Sequence, residues 1–139
     1  AAIIAGISVG TLVSLGSALA LAVAMDLTRE QYVTLLPKSV TTAISMDVAA
    51  ELGGIAALTG AIVILTGIAG NLLAETVCKV FHITDPIAKG VGIGTSAHAV
   101  GTSKALQMGE VEGAMSGLSI AVAGVLTAVL CPIFVNFIG

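Results

Sequence analysis

Residues 35 to 45, LLPKSVTTAIS, set Pro37 and Lys38 beside Ser39, Thr41, Thr42 and Ser45. A second polar run, GTSAHAVGTS at 94 to 103, gathers Thr95, Ser96, His98, Thr102 and Ser103 between glycines. One ammonium, one imidazole and a set of short hydroxyls are groups suited to holding a small anion, because the cation supplies charge and the hydroxyls add hydrogen bonds without crowding the ligand. They are not a catalytic set. No nucleophile with its base and no pair of carboxylates can be placed in one site, so no enzyme activity is expected. Cys78 and Cys131 stand far apart without a C-x-x-C spacing, so neither a metal nor a cofactor is expected, and both read as membrane packing residues. The glycines of GVGIG, residues 90 to 94, follow no strand and lack the full G-x-G-x-x-G context of a dinucleotide loop.

These polar runs interrupt a chain of 139 residues that is 57% hydrophobic and 9% charged, with a mean hydropathy of +1.13. Such values lie outside the range of soluble domains and describe an integral membrane protein whose first partner is the lipid bilayer. A crossing takes about 20 apolar residues, and the charge-free stretches 1–25, 52–74 and 113–139 are long enough. The net charge of −3 forms no basic run, which excludes nucleic acid as a partner. Gly6-x-x-x-Gly10 and Gly113-x-x-x-Gly117 have the spacing that lets membrane helices approach closely, against the alternative that glycine is simply common in such helices. Ala1 opens inside a hydrophobic run without the charged start of a signal peptide, so the expectation is a single membrane domain, 1–139, forming the C-terminal part of a longer protein.

The elements that position the polar runs follow from local signals. Thr28 and Gln31 have the spacing of a capping box, so a helix starts after Thr28. Pro37 ends it, leaving a half-helix of about eight residues, roughly 12 Å long. A second piece resumes in SVTTAISMDVAAEL with Ser39 or Thr41 as its cap, and the tip spans 37–42. Asp85 and Pro86 start the next helix, with Lys89 spaced to support Asp85. Gly90, Gly92, Gly94 and Gly101 weaken that helix, and Gly94 and Gly101 are the expected break points. Glu110 and Glu112 then sit favourably at the start of the last span.

The two halves share a grammar. Ser39 and Ser96 are 57 residues apart and Glu51 and Glu110 are 59 apart, which suggests repeat-like units over 28–82 and 84–139. The predicted fold is all-α: three full transmembrane helices plus two broken or re-entrant segments, about 32–54 and 86–109, related as an inverted repeat. Each piece of about ten residues reaches roughly 15 Å, half the hydrocarbon core, so both segments read as hairpins entering from opposite faces. Lys79, Lys89 and Lys104 then share one face, cytoplasmic by the positive-inside rule, and Arg29 lies opposite.

A broken helix persists at membrane depth only where it is buried in protein or lines a cavity. The reading is therefore a single anion site near the midplane, with Lys38 as the charge and Ser39, Thr41, Thr42, Thr95, Ser96 and Thr102 as hydroxyl donors. His98 either hydrogen-bonds the substrate or carries a coupled proton. The plainer alternatives are a Lys38 that snorkels from a surface segment and a His98 that is a packed neutral imidazole.

Together LLPKSVTT, GTSAHAVGTSKALQMGEVEGAMSGLS and AVAGVLTAVLCPI closely resemble the LrgB/CidB family of murein-hydrolase regulator or antiholin-like membrane proteins, over nearly the whole chain. The family's PKSVTT motif falls on Pro37 to Thr42 and its GT-SHA-GT-like motif on Gly94 to Thr102. Two positions depart from the pattern: Ala43 stands where a proline is common, and Ser96 and Ala97 exchange the usual order. The resemblance extends to the plastid glycolate/glycerate translocator and to bacterial relatives linked to pyruvate uptake. It implies a carrier of small monocarboxylates such as pyruvate, glycolate or glycerate, working as a homo-oligomer in the bacterial cytoplasmic membrane. The alternative it implies is a holin- or antiholin-type protein that modulates murein hydrolases and autolysis beside a small LrgA- or CidA-like membrane partner.

Overall fold

The computed structural model describes residues 1–138, and every regular element among them is helical. Three helices are long and apolar enough to cross a membrane: α1 (Ala2–Ala24), α4 (Ala56–Val80) and α6 (Glu110–Phe134), the last extended by a 3-10 turn at Val135–Phe137. Between them lie α2 (Arg29–Leu35) with α3 (Thr42–Glu51), and α5 (Pro86–Met108). The crossings outrun the charge-free stretches. Helix α4 carries Glu75 and Lys79 in its last turns, and α6 begins at Glu110 rather than Gly113, because charges at helix ends reach the polar interface.

The first interruption is built as its local signals predict. Both halves of the capping box form, with the Gln31 amide donating to Thr28 Oγ1 at 3.3 Å and the Thr28 amide donating to Gln31 Oε1 at 3.0 Å. Pro37 stops α2, and α3 begins at Thr42. Thr41 occupies the cap position of α3 but its hydroxyl makes no cap bond. Instead Ser45 Oγ donates to the Pro37 carbonyl at 2.7 Å and ties the first turn of α3 to the tip. Thr59 Oγ1, in the first turn of α4, donates to the Thr34 carbonyl at 2.8 Å and holds the hairpin against the next crossing.

The second interruption breaks elsewhere than expected. Asp85 accepts from the Ala88 amide at 2.7 Å with Pro86 in the first turn, as predicted. Its carboxylate is thereby used, and the expected pair with Lys89 does not form. The helix breaks at His98, whose backbone takes φ 42° and ψ −142°. Gly94 and Gly101, the expected break points, lie within the two arms. A Cβ on Gly94 would collide with the Ser116 carbonyl oxygen of α6, and one on Gly101 would come within 3.0 Å of Ile93 Cγ2. Eight residues of continuous helix would hold Ile93 and Gly101 about 12 Å apart, so α5 has folded back on itself. Its first arm, 86–97, runs along α6 through Gly90 beside Met115 and Gly94 beside Ser119. Its second arm, 99–108, runs the other way, with Thr102 beside Ser116 and Leu106 beside Gly113.

The hairpins enter from opposite ends of the bundle. Both feet of the α2–α3 hairpin adjoin the end of α1 and the start of α4, whereas both feet of the α5 hairpin adjoin the end of α4 and the start of α6. The core lies where α1 and α6 close over them: Leu15, Ala18, Tyr32, Leu36, Val48 and Cys131 form one buried cluster, and Ile7, Val40, Val91 and Ala123 another. Gly6 and Gly10 bring α1 against Val91 and Thr95 of α5. Of the second small-residue pair, Gly113 packs on Leu106 while Gly117 faces open space.

Candidate functional site

At the tip of the first hairpin the Lys38 ammonium donates to Ser17 Oγ at 3.1 Å and to Ser14 Oγ, the Ser14 carbonyl and Ser39 Oγ, each at 3.4 Å. Ser14 Oγ in turn donates to Ser39 Oγ at 2.6 Å. Ser14 is the thirteenth of the 23 residues of α1, so this cluster stands halfway along a crossing helix. Lysine at that depth costs about 3 kcal/mol on insertion scales. Its neighbours here are oxygens that solvate it without cancelling its charge.

Among the described residues both ion pairs use Glu75, and no carboxylate lies within 4.0 Å of the Lys38 nitrogen. The positive charge is therefore uncompensated. The first turn of α3 starts four residues later, at Thr42, adding the partial positive charge of a helix N-terminus.

A cleft of about 270 Å³ opens beside this ammonium. Lys38 and Ser39 line it from the first hairpin, Thr95 and Ser96 from the second, Gly10, Ser14 and Ser17 from α1, and Thr66 from α4. Next to it Ser39, Val40, Pro37 and Thr95 meet Thr11 and Thr127 across a crevice with no room for a water molecule. The two tips thus touch on one side and part on the other. An ammonium, several hydroxyls and a small volume can hold a compact anion carrying one further hydrogen-bonding group.

The other predicted residues lie outside the cleft. Thr42 turns its methyl towards Gly60 of α4, and Thr41 sits at the start of α3. Thr102 donates to the His98 carbonyl at 3.0 Å and shares a hydrogen bond with Ser116 Oγ at 2.7 Å, bracing the second arm of α5 on α6. His98 is buried, and its Nε2 lies 2.8 Å from the Val63 carbonyl of α4. A carbonyl only accepts, so Nε2 carries the proton and donates. The ring rests on Gly67, where a Cβ would fall 2.6 Å from ring carbon Cε1. Imidazole and hydroxyl here fix the shape of the tip.

Sequence reasoning passed over Ser14, Ser17 and Thr66, and read Gly10 only as a packing residue. A signal for Gly10, Ser14 and Ser17 was available, since they recur at i, i+4 and i+7 on one face of a largely apolar helix. Thr66 had no such pattern around it.

The sequence model of the LrgB-like family matches residues 1–137. No solved structure matches the chain at a significant level.

Proposed function

The chain belongs to the LrgB-like family, and from that membership and the Lys38 cluster we propose that it carries small monocarboxylates across the bacterial cytoplasmic membrane. Pyruvate, glycolate and glycerate are the substrates proposed. The observation that carries the reading is the uncompensated ammonium at mid-depth, facing a cleft lined by both hairpin tips. A substrate carboxylate would complete the missing ion pair, and its hydroxyl or keto oxygen would meet Ser14, Ser17, Thr95 or Ser96. The ammonium and hydroxyls support binding of an anion, and the reading proposed is of a carrier rather than an enzyme.

The reading includes an inverted repeat. Units 28–82 and 84–139 each consist of a hairpin and a crossing, and α4 and α6 are both 25 residues long. Rocking one unit against the other would open the cleft first to one side and then to the other. Association into homo-oligomers and with an LrgA-like small membrane protein belongs to the same proposal, and is tested by cross-linking in membranes.

The deciding experiment is uptake of labelled pyruvate or glycolate into vesicles holding the protein. Saturable uptake, competed by unlabelled monocarboxylates and absent for sugars of similar size, is expected. An antiholin- or holin-like assembly would instead pass unrelated solutes or none, and either result overturns the carrier reading.

A further inference from the structure

A groove that adjoins the Lys38 cleft at Ser96 and runs away from it has the form of a lipid site. Helix α4 and the first arm of α5 part along their outer side to leave a groove of about 300 Å³, lined by Gly70, Leu73, Val77, Ala88, Gly92 and Ile93 among others. Its α4 wall from Gly70 to Cys78 is about 12 Å long, close to the depth of one leaflet, about half of a 30 Å hydrocarbon core. At the α4–α5 connection it opens into a second cleft of about 550 Å³. Cys78, Ile83 and Lys89 line both spaces, so apolar groove and polar mouth are continuous.

The mouth carries the complementary charge. Lys79, Lys89 and His82 line it together with Glu75. Glu75 is already engaged, 2.7 Å from Lys104 and 3.7 Å from Lys79, and the Asp85 carboxylate is held by the Ala88 amide at 2.7 Å. Lys89 has no carboxylate within 4.0 Å among the described residues. An apolar slot one leaflet deep that ends at an unpaired lysine matches an acyl chain below a phosphate.

We propose that this groove binds one anionic phospholipid, its acyl chain between α4 and the first arm of α5 and its phosphate on Lys89. The occupant is a bilayer lipid rather than a peptide, because the polar end of the slot lies at a helix connection and its wall is almost wholly hydrocarbon. Ordering of this lipid would hold the first arm of α5 against α4, the arm that presents Thr95 and Ser96 to the other site.

Native mass spectrometry of the intact chain released from nanodiscs of mixed phosphatidylglycerol and phosphatidylcholine tests this. The wild type is expected to keep one phosphatidylglycerol in preference to phosphatidylcholine by about fivefold, because phosphatidylglycerol carries a net negative charge whereas the choline ammonium offsets the phosphate of phosphatidylcholine. Lys89→Gln should still keep a lipid but lose the preference. Gly92→Leu should keep none: a Cβ on Gly92 meets nothing within 4 Å, and leucine favours helix over glycine, so the variant fills the slot without threatening the fold. Equal retention of the two lipids by the wild type overturns the proposal. So does undiminished retention by Gly92→Leu, or a photo-reactive group at Leu73 that captures a polypeptide instead of lipid.

Discussion

Thr95 of the second hairpin presses on Gly10 of α1 so closely that a Cβ at Gly10 would fall 2.7 Å from Thr95 Oγ1 and 3.0 Å from its Cβ. Gly10→Ala must therefore push α1 and the hairpin apart, at an overpacking cost of about 1–3 kcal/mol. The expected outcome is a lower thermal midpoint and a raised KM for uptake. Gly16→Ala is the control, since its Cβ meets nothing within 4 Å, and it should leave both unchanged or raise stability slightly.

Lys38→Met keeps most of the side-chain stem and removes the charge. Losing a charge-assisted hydrogen bond weakens substrate binding by about 1.5–3 kcal/mol, or ten- to a hundredfold. Removing an uncompensated ammonium from membrane depth acts in the opposite direction on folding, so the weakly binding variant should melt no lower than the wild type. Thermal unfolding and vesicle uptake, measured on the same preparation, check both halves.

Ser14 and Ser17 aim the ammonium. Ser14→Ala removes a contact to Lys38 and the 2.6 Å bond to Ser39, whereas Ser17→Ala removes a 3.1 Å contact to Lys38 and a 2.7 Å bond within α1 to the Ser14 carbonyl. A neutral hydrogen bond such as Ser14–Ser39 contributes about 0.5–1.5 kcal/mol and a well-formed one to an ammonium about 1.5–3 kcal/mol. Both substitutions should raise KM, Ser14→Ala more than Ser17→Ala, with maximal rates little changed.

His98→Gln separates a brace from a proton carrier. The Nε2–H donated to Val63 is buried, and leaving that carbonyl poorly paired costs about 1–3 kcal/mol. Stability should fall while the shape of the uptake profile between about pH 5.5 and 8, where histidines titrate, stays the same. A profile that flattens in the variant would return the proton-carrying role to His98.

Topology has its own test. In a background lacking Cys78 and Cys131, both of which are buried, single cysteines at the exposed positions Glu30 and Glu51 should react with an impermeant thiol reagent from one face, and one at His82 from the other. Labelling of positions 30 and 51 from opposite faces would mean that α2 and α3 cross the membrane.

The beginnings of elements were legible and their interior break was not. The Thr28 box and the Asp85–Pro86 start are written in neighbouring residues, which is why they fold as read. The turn at His98 is chosen by other helices. Met115 and Ser119 of α6 crowd Gly90 and Gly94 and claim those glycines for packing, while α4 offers Val63 to the imidazole. Ser14 and Ser17 showed their shared helix face in the sequence but not its use, because a serine in a greasy helix gains its meaning only when Lys38, 21 to 24 residues later, is folded against it.

The partners of the two hairpins also differ in when they are made. Val63 precedes His98 by 35 residues, so the second hairpin emerges from the ribosome with its docking carbonyl already in place. The first hairpin has to wait: Thr34 is tied by Thr59, 25 residues on, and the Tyr32 hydroxyl by the Phe134 carbonyl, 102 residues on. During synthesis the tip itself meets Ser14 and Ser17, made 21 to 24 residues before Lys38, whereas Tyr32 at the base of the hairpin is fastened last, when the end of α6 arrives. A chain released at residue 133, which lacks the Phe134 carbonyl that holds the Tyr32 hydroxyl, should leave α2 more open to protease than the full chain does.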